Sequence, residues 1–318
     1  MGATDDSIRE VFCRQNPKGS VLWPARKIAP THVFVREIAM KRVIVFLCGL
    51  FLLAGPAVSR AAAQSKLTYP PALDQGYGDM YNLQFDQAHQ VFAKYMQDHP
   101  DDPMGPVSDA AAYLFSEFHR TGVLDMGLFT SDNNYMAHKK DKLDPNLKKA
   151  FDAALDKADH LADAALSKNA NDVNALFAKT LVYGLHADYA SLLERKDITG
   201  FEYTKTASLY AHRLLALQPN AYDAYLAVGL ENYILGLKPA PVRWLLQMAG
   251  GETNRVVGEH DVTMAAMQGH YLAPLAKLLL AVAAVRDKDK TKARELLSSL
   301  AKEFPGNPLY ARQLARLG

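Results

Sequence analysis

The sequence predicts an all-α protein: a right-handed α-α superhelix of about five stacked helical hairpins with a terminal capping helix. Three observations carry this expectation. Beyond residue 63, apolar residues recur at helical spacing almost throughout, with no run of alternating β-branched residues. Prolines and short polar residues fall at the ends of the periodic stretches, where helices start and stop. One spacing also recurs along the chain: a small residue, an apolar residue four positions on, and a helix stop twelve positions on.

The periodicity predicts helices over 72–82, 85–99, 106–121, 145–168, 173–194, 200–217, 222–235, 241–249, 254–268, 273–286, 291–303 and 308–317. Pro106, Pro145, Pro241 and Pro308 sit where a first helical turn begins, and there a missing N–H forfeits no hydrogen bond. Asp172, Asn220 and Asn254 lie near other starts, as side-chain acceptors for the first free N–H groups. The recurring unit reads Ala88, Phe92, Pro100, then Ala207, Ala211, Pro219, then Ala293, Leu297, Pro305. A fourth copy, Ala158, Ala162, Ala170, lacks the proline. The small residue lets two helices approach, and the stop turns the chain into the next hairpin. The partner helices carry a second pattern. Tyr225 and its branched neighbours share a face, with Gly229 for close packing; 276–281 repeats the placement with Lys277 for the aromatic, and 175–180 is a weaker copy. At the C-terminus, Arg312 and Arg316 oppose Leu309, Leu314 and Leu317, as the polar-faced cap of a stack requires.

The first 63 residues read differently. Met40-Lys41-Arg42 precedes an apolar run over 43–58 and then Ala61-Ala62-Ala63, the order of charged, apolar and small-residue regions in a secretory signal. The run contains Gly49, Gly55 and Pro56 and is shorter than the roughly 20 residues of a comfortable span, so no stable membrane span is expected after cleavage. Cys48 reads as an apolar residue inside the signal, since the run continues past it. The expected division is therefore 1–39 as an upstream extension outside the native protein, 40–63 as the signal peptide, and 64–318 as the folded repeat domain. The alternative for 1–39 is a long charged lead to the signal. The protein is expected to be periplasmic or secreted.

Charge and cysteine content then exclude several classes. The whole chain carries 36 Lys and Arg against 34 Asp and Glu. From Gln64 onward the balance is 27 against 30, too even to argue for nucleic acid. Cys13 and Cys48 both precede Gln64, so no disulfide, thiolate metal site or Cys-linked haem is expected in the folded part. The histidines show no spacing that converges three or four ligands, so no metal is expected. Gly250-Gly251 reads as a turn, no Gly-x-Ser-x-Gly elbow occurs, and no cofactor or catalytic residue is expected. Asp152, Asp156, Asp159 and Asp163 lie at helical spacing near Lys149 and Lys157 and read as a solvated face. The long connection 122–144 should tuck in through Leu128 and Phe129, with Lys139, Lys140 and Lys142 as a solvated charge run.

Two stretches bear a family likeness. Phe85-Asp-Gln-Ala88 with Phe92 and Pro100-Asp-Asp-Pro, and Pro219-Asn-Ala-Tyr-Asp-Ala-Tyr225-Leu-Ala-Val-Gly229, resemble tetratricopeptide repeats (TPRs), whose unit is about 34 residues. The resemblance covers most of 72–317, with two or three units matching well and insertions at roughly 122–144 and 236–253. The layout, with KPAPVRWL after the Tyr233 helix and GHYLAPLAKLLLAVAA later, looks like a group of exported bacterial TPR-like proteins. The resemblance implies a superhelix that binds protein partners, in envelope assembly or secretion, and no reaction. TPRs that capture C-terminal carboxylates line the inner face with lysines and asparagines. Leu226, Leu230 and Ile234 stand there instead, so that docking mode does not carry over.

The candidate binding residues are Glu231, Asn232, Tyr233, Arg243 and Trp244. Glu231 and Asn232 interrupt an otherwise apolar helix, and a buried carboxylate requires a partner. Arg243, just past the loop, is the nearest. Either the pair clamps the 236–253 insertion onto its hairpin, or the five residues line a groove for a small molecule, peptide or glycan. Aromatic and arginine side chains together are a common hot-spot composition.

Overall fold

In the computed structural model the described residues are 66–129, 142–236 and 254–318, without the side chains of residues 197 and 233–236. All belong to one unit, Ala61–Gly318. Among them the fold is all-helical, with eleven α-helices: α1 (Pro71–Tyr81), α2 (Phe85–Asp98), α3 (Met104–Arg120), α4 (Pro145–Lys168), α5 (Val173–Asp188), α6 (Asp197–Leu217), α7 (Ala224–Gly236), α8 (Arg255–Gln268), α9 (Ala273–Arg286), α10 (Lys290–Glu303) and α11 (Pro308–Arg316). A 3₁₀ turn covers Met126–Phe129 and a π turn Tyr189–Leu193. The expected helix over 241–249 and the whole signal region lie outside the described residues.

Local chemistry explains most of the boundaries. Asp144 accepts the N–H groups of Asn146 and Leu147 ahead of Pro145. Asp172, Asn254 and Asn307 cap α5, α8 and α11 in the same way. Three starts differ from expectation by two residues or more. α6 begins at Asp197, three residues before the expected start. α3 begins at Met104, so Pro106 is the third residue of its first turn, where its missing N–H is still one the helix could not bond. Asn220 caps nothing in that way: α7 begins at Ala224, directly after Asp223. The stretch expected as one helix over 173–194 ends at Asp188, and the π turn bonds the Glu194 N–H back to the Tyr189 carbonyl. Arg195, with φ 59°, then breaks the helical path.

The recurring spacing has one meaning in all four copies. α2, α6 and α10 end two residues before Pro100, Pro219 and Pro305, and α4 ends two residues before Ala170. Ala88, Ala158, Ala207 and Ala293 are all buried, so the small side chains face neighbouring helices. Gly229 is a closer case. A methyl group there would meet the Val262 nitrogen at 2.8 Å and the Gly258 carbonyl at 2.9 Å, so α7 and α8 touch backbone to backbone.

Each helix packs on the next in sequence. α1 also touches α3, α3 touches α5, and α5 touches α7. One large apolar core runs from Leu67 to Leu317, and a second, smaller one joins Leu226 and Leu230 of α7 to Val262, Ala265 and Ala266 of α8 and Ala276 and Leu280 of α9.

The two ends of the unit meet, which an open superhelix would not allow, because there each repeat touches only its neighbours. The Tyr81 hydroxyl donates to the Tyr271 carbonyl at 2.9 Å. The Asn307 amide donates to the Tyr81 carbonyl at 2.9 Å, and the Gly306 N–H donates to Asn82 Oδ1 at 2.8 Å. α11 is accordingly more than a solvent-facing cap. Arg312 is exposed, but Arg316 and Gln313 both bond Asp125, at 2.7 and 2.6 Å. Leu128 and Phe129 do tuck against the core, and the Phe129 carbonyl accepts from Arg286.

Candidate functional site

The sequence-predicted residues come first. Glu231 and Asn232 are both buried on α7. Asn232 Nδ2 donates to the Val228 carbonyl at 3.4 Å, and its Oδ1 accepts the Asn254 N–H at 3.4 Å. Asn254 in turn caps α8, so Asn232 ties α7 to the helix beyond the insertion. The Tyr233 side chain, Arg243 and Trp244 lie outside the described residues.

The acidic face of α4 is a correction. Asp159 and Asp163 do not only face water: both pair with Lys179 Nζ at 2.6 Å. Lys179 is 2% exposed, in the weaker copy of the partner-helix pattern. Its two carboxylates outweigh the cost of burial and hold its amine above the ordinary lysine value.

A more developed site surrounds the start of the folded part. Residues 66–70 stand outside the helices, and the reason is covalent. Pro70 lies in the polyproline region, and Pro71 opens α1 as its first residue, so the preceding segment cannot join the helix. This strap crosses α5, the end of α6 and the α8–α9 turn. The Leu67 N–H donates to Gln218 Oε1 at 2.8 Å, and the Thr68 N–H donates to Asn174 Oδ1 at 3.0 Å. Leu67 is buried, and Thr68 is exposed. The Tyr69 ring lies 4.4 Å from His270, 5.2 Å from Tyr271 and 6.3 Å from Phe177, centroid to centroid. The Tyr271 hydroxyl donates to the Pro70 carbonyl at 3.5 Å, and His270 Nε2 meets Asp74 Oδ1 at 2.6 Å.

Asp223 anchors this seat from below. Its fully buried carboxylate accepts three successive N–H groups, from His270 at 2.8 Å, Tyr271 at 3.2 Å and Leu272 at 3.0 Å. The Tyr69 hydroxyl lies close to it, and the carboxylate's charge adds to burial in raising that hydroxyl. Gly269 permits the approach, since a methyl group there would stand 2.7 Å from Asp223 Oδ1 and 2.4 Å from the Ala265 carbonyl. Burial pushes the Asp223 carboxyl up, and its hydrogen bonds oppose that shift. Burial also raises the hydroxyls of Tyr69, Tyr77, Tyr81 and Tyr271. They serve as neutral hydrogen-bond groups, and the ring of Tyr77 stacks on Tyr271 at 4.3 Å.

The arrangement therefore holds residues 67–70 and orients the turn at 270–272. Asn174, Gln218, Asp223 and Tyr271 were not singled out from the sequence. The available signals were Asp223 within Pro219-Asn-Ala-Tyr-Asp-Ala-Tyr225 and the Gly-His-Tyr of 269–271, both in the family-like stretches. A cleft between α1, α3, α9 and α11, lined by Met80, Phe115, Leu124, Leu275 and Tyr310, has about 10 Å³, room for one water. Among the described residues no group of three or more His, Cys, Asp or Glu side chains is placed to hold a metal ion, and no helix is long and apolar enough to cross a membrane. No protein-family model matches this sequence, and no curated protein or solved structure matches it.

Proposed function

We propose that the chain is an exported, TPR-like helical-repeat scaffold that mediates protein–protein interactions, in cell-envelope assembly or secretion. The observation that carries this reading is the coincidence of repeat in sequence with repeat in packing. Four copies of one small–apolar–stop spacing end four helices at the same offset. Each of these helices packs on its neighbours in chain order, and their partner helices α1, α3, α5 and α7 touch in turn. Stacked hairpins of this kind expose long helical faces, and their chemistry is the binding of other chains. The export half of the reading rests on the signal-like order of residues 40–63.

The alternative is a small-molecule, peptide or glycan module built on Glu231, Asn232, Tyr233, Arg243 and Trp244. The bond from the Asn254 N–H to Asn232 favours a clamp over a groove there, because it spends the amide on joining α7 to α8. Crosslinking with mass spectrometry in the native cell, followed by purification of the crosslinked species, tests the proposal. A protein partner at a fixed ratio supports the scaffold. A melting shift with a sugar or other small ligand and no protein partner would replace it with the binding module.

A further inference from the structure

Residues 66–70 are held as a bound peptide is held. Two successive main-chain N–H groups are taken by side-chain amides from different helices, Gln218 after α6 and Asn174 in the first turn of α5. Gln218 reads the backbone alone, whereas Asn174 Oδ1 also accepts the Thr68 hydroxyl at 3.3 Å and so reads backbone and hydroxyl together. Further selectivity comes from the flanking positions. Leu67 is buried, Thr68 is exposed with its hydroxyl on Asn174, and Tyr69 enters the ring of Phe177, His270 and Tyr271 close to Asp223. Pro70 closes the segment and offers its carbonyl to the Tyr271 hydroxyl.

On the scaffold reading, we infer that this seat is a peptide-recognition groove occupied in cis. The partner that it takes in trans is a segment of another protein, reading aliphatic residue, hydroxyl residue, tyrosine, proline. The strap can leave without α1. Leu73, Tyr77, Met80 and Tyr81 bury α1 on their own, with Tyr77 bonded to Ser108 and Tyr81 to the Tyr271 carbonyl. The rigid Pro70-Pro71 junction separates the two. Within the strap only Leu67 is fully buried, and Lys66 and Thr68 are exposed. A tethered strap has an effective concentration in the millimolar range, so a tighter segment from a partner displaces it.

The test uses the full chain and a fluorescent peptide of residues 64–71, followed by anisotropy. A Leu67→Asp/Tyr69→Ala chain, whose own strap no longer fits, should bind the peptide at least about tenfold more tightly than the unaltered chain. Adding Asn174→Ala and Gln218→Ala to that chain should abolish binding, as should alanine at the leucine and tyrosine of the peptide. A chain that melts cooperatively yet binds no peptide, or binds it without Asn174 and Gln218, overturns the inference. If the strap variant does not fold, hydrogen exchange on the unaltered chain decides. The Leu67 and Thr68 amides should exchange at least about tenfold faster than those of α1, and equal protection overturns the inference. A dimer with exchanged straps would give the seat to a second copy and also overturn it. A crosslinked partner found while the peptide fails leaves the scaffold standing and removes only the groove.

Discussion

Asp223→Ala should be among the most damaging single substitutions in the described fold, and Asp223→Asn should be clearly milder. The carboxylate takes the His270 and Leu272 N–H groups on Oδ1 and the Tyr271 N–H on Oδ2. These donors are main-chain groups in a packed turn, so they cannot swing out to water. Each buried donor left without an acceptor costs about 1–3 kcal/mol. Asparagine keeps one carbonyl oxygen for His270 and Leu272 and strands the Tyr271 N–H, so the expected loss is about 1–3 kcal/mol. Alanine strands all three, and after partial relaxation the loss should be about 3–5 kcal/mol. The burial that raises the Asp223 carboxyl works the other way, since a neutral residue avoids the desolvation. Stranding wins because the donors have no other acceptor within the turn's fixed geometry. Urea unfolding gives the free energies, and hydrogen exchange at residues 270–272 gives the local effect. An alanine variant within about 1 kcal/mol of the unaltered chain, with those amides still protected, would refute this account of the turn.

Three further expectations follow from particular contacts. Asp159→Asn with Asp163→Asn strands the buried Lys179 ammonium and should cost about 2–3 kcal/mol, discounted because both acids are partly exposed; Lys179→Met, which leaves those acids to water, should cost about 1 kcal/mol or less. Equal losses in denaturant melts would contradict that asymmetry. Gly229→Ala forces a methyl group against the α8 backbone and should lose about 1–3 kcal/mol, whereas Gly78→Ala, with nothing near the added carbon in the helix α1, should gain about 0.5–1 kcal/mol; melting temperatures moving in the same direction would be the contrary result. Burial pushes the Asp188 carboxyl up to about 7. Between its ordinary value and pH 7 the folded chain thus holds the proton that the unfolded chain has released, so stability falls as pH rises through that window and levels off above it. Asp188→Asn should remove this fall, and its melting-temperature advantage should grow from pH 4 to pH 7.5; a pH-independent difference would exclude Asp188 as its source.

The helices were legible because each one writes its own signal locally. Pro145 follows a capping aspartate, Asn307 precedes Pro308, and the alanines of the recurring unit fall on the buried side of every copy. Gly229 is the best instance: a glycine read as allowing close packing is where two backbones touch. Glu231 and Asn232 were also expected to be buried, and they are. Nothing in the sequence marks Lys179 as buried, because its burial depends on the acids of the preceding helix being placed beside it.

By itself, the sequence determined where helices begin and end and which face of each is apolar, since capping, proline geometry and the 3.6-residue period act within one turn or two. Only the tertiary structure decided that the ends meet, that Asp223 closes the turn at 270–272, and that residues 66–70 lie across α5 and α6. Those contacts join residues far apart in the chain, such as Leu67 with Gln218 and Asn82 with Gly306. Each is a single hydrogen bond or ring contact with no period to announce it. Its free energy exists only once packing has brought the two groups together and taken both away from water.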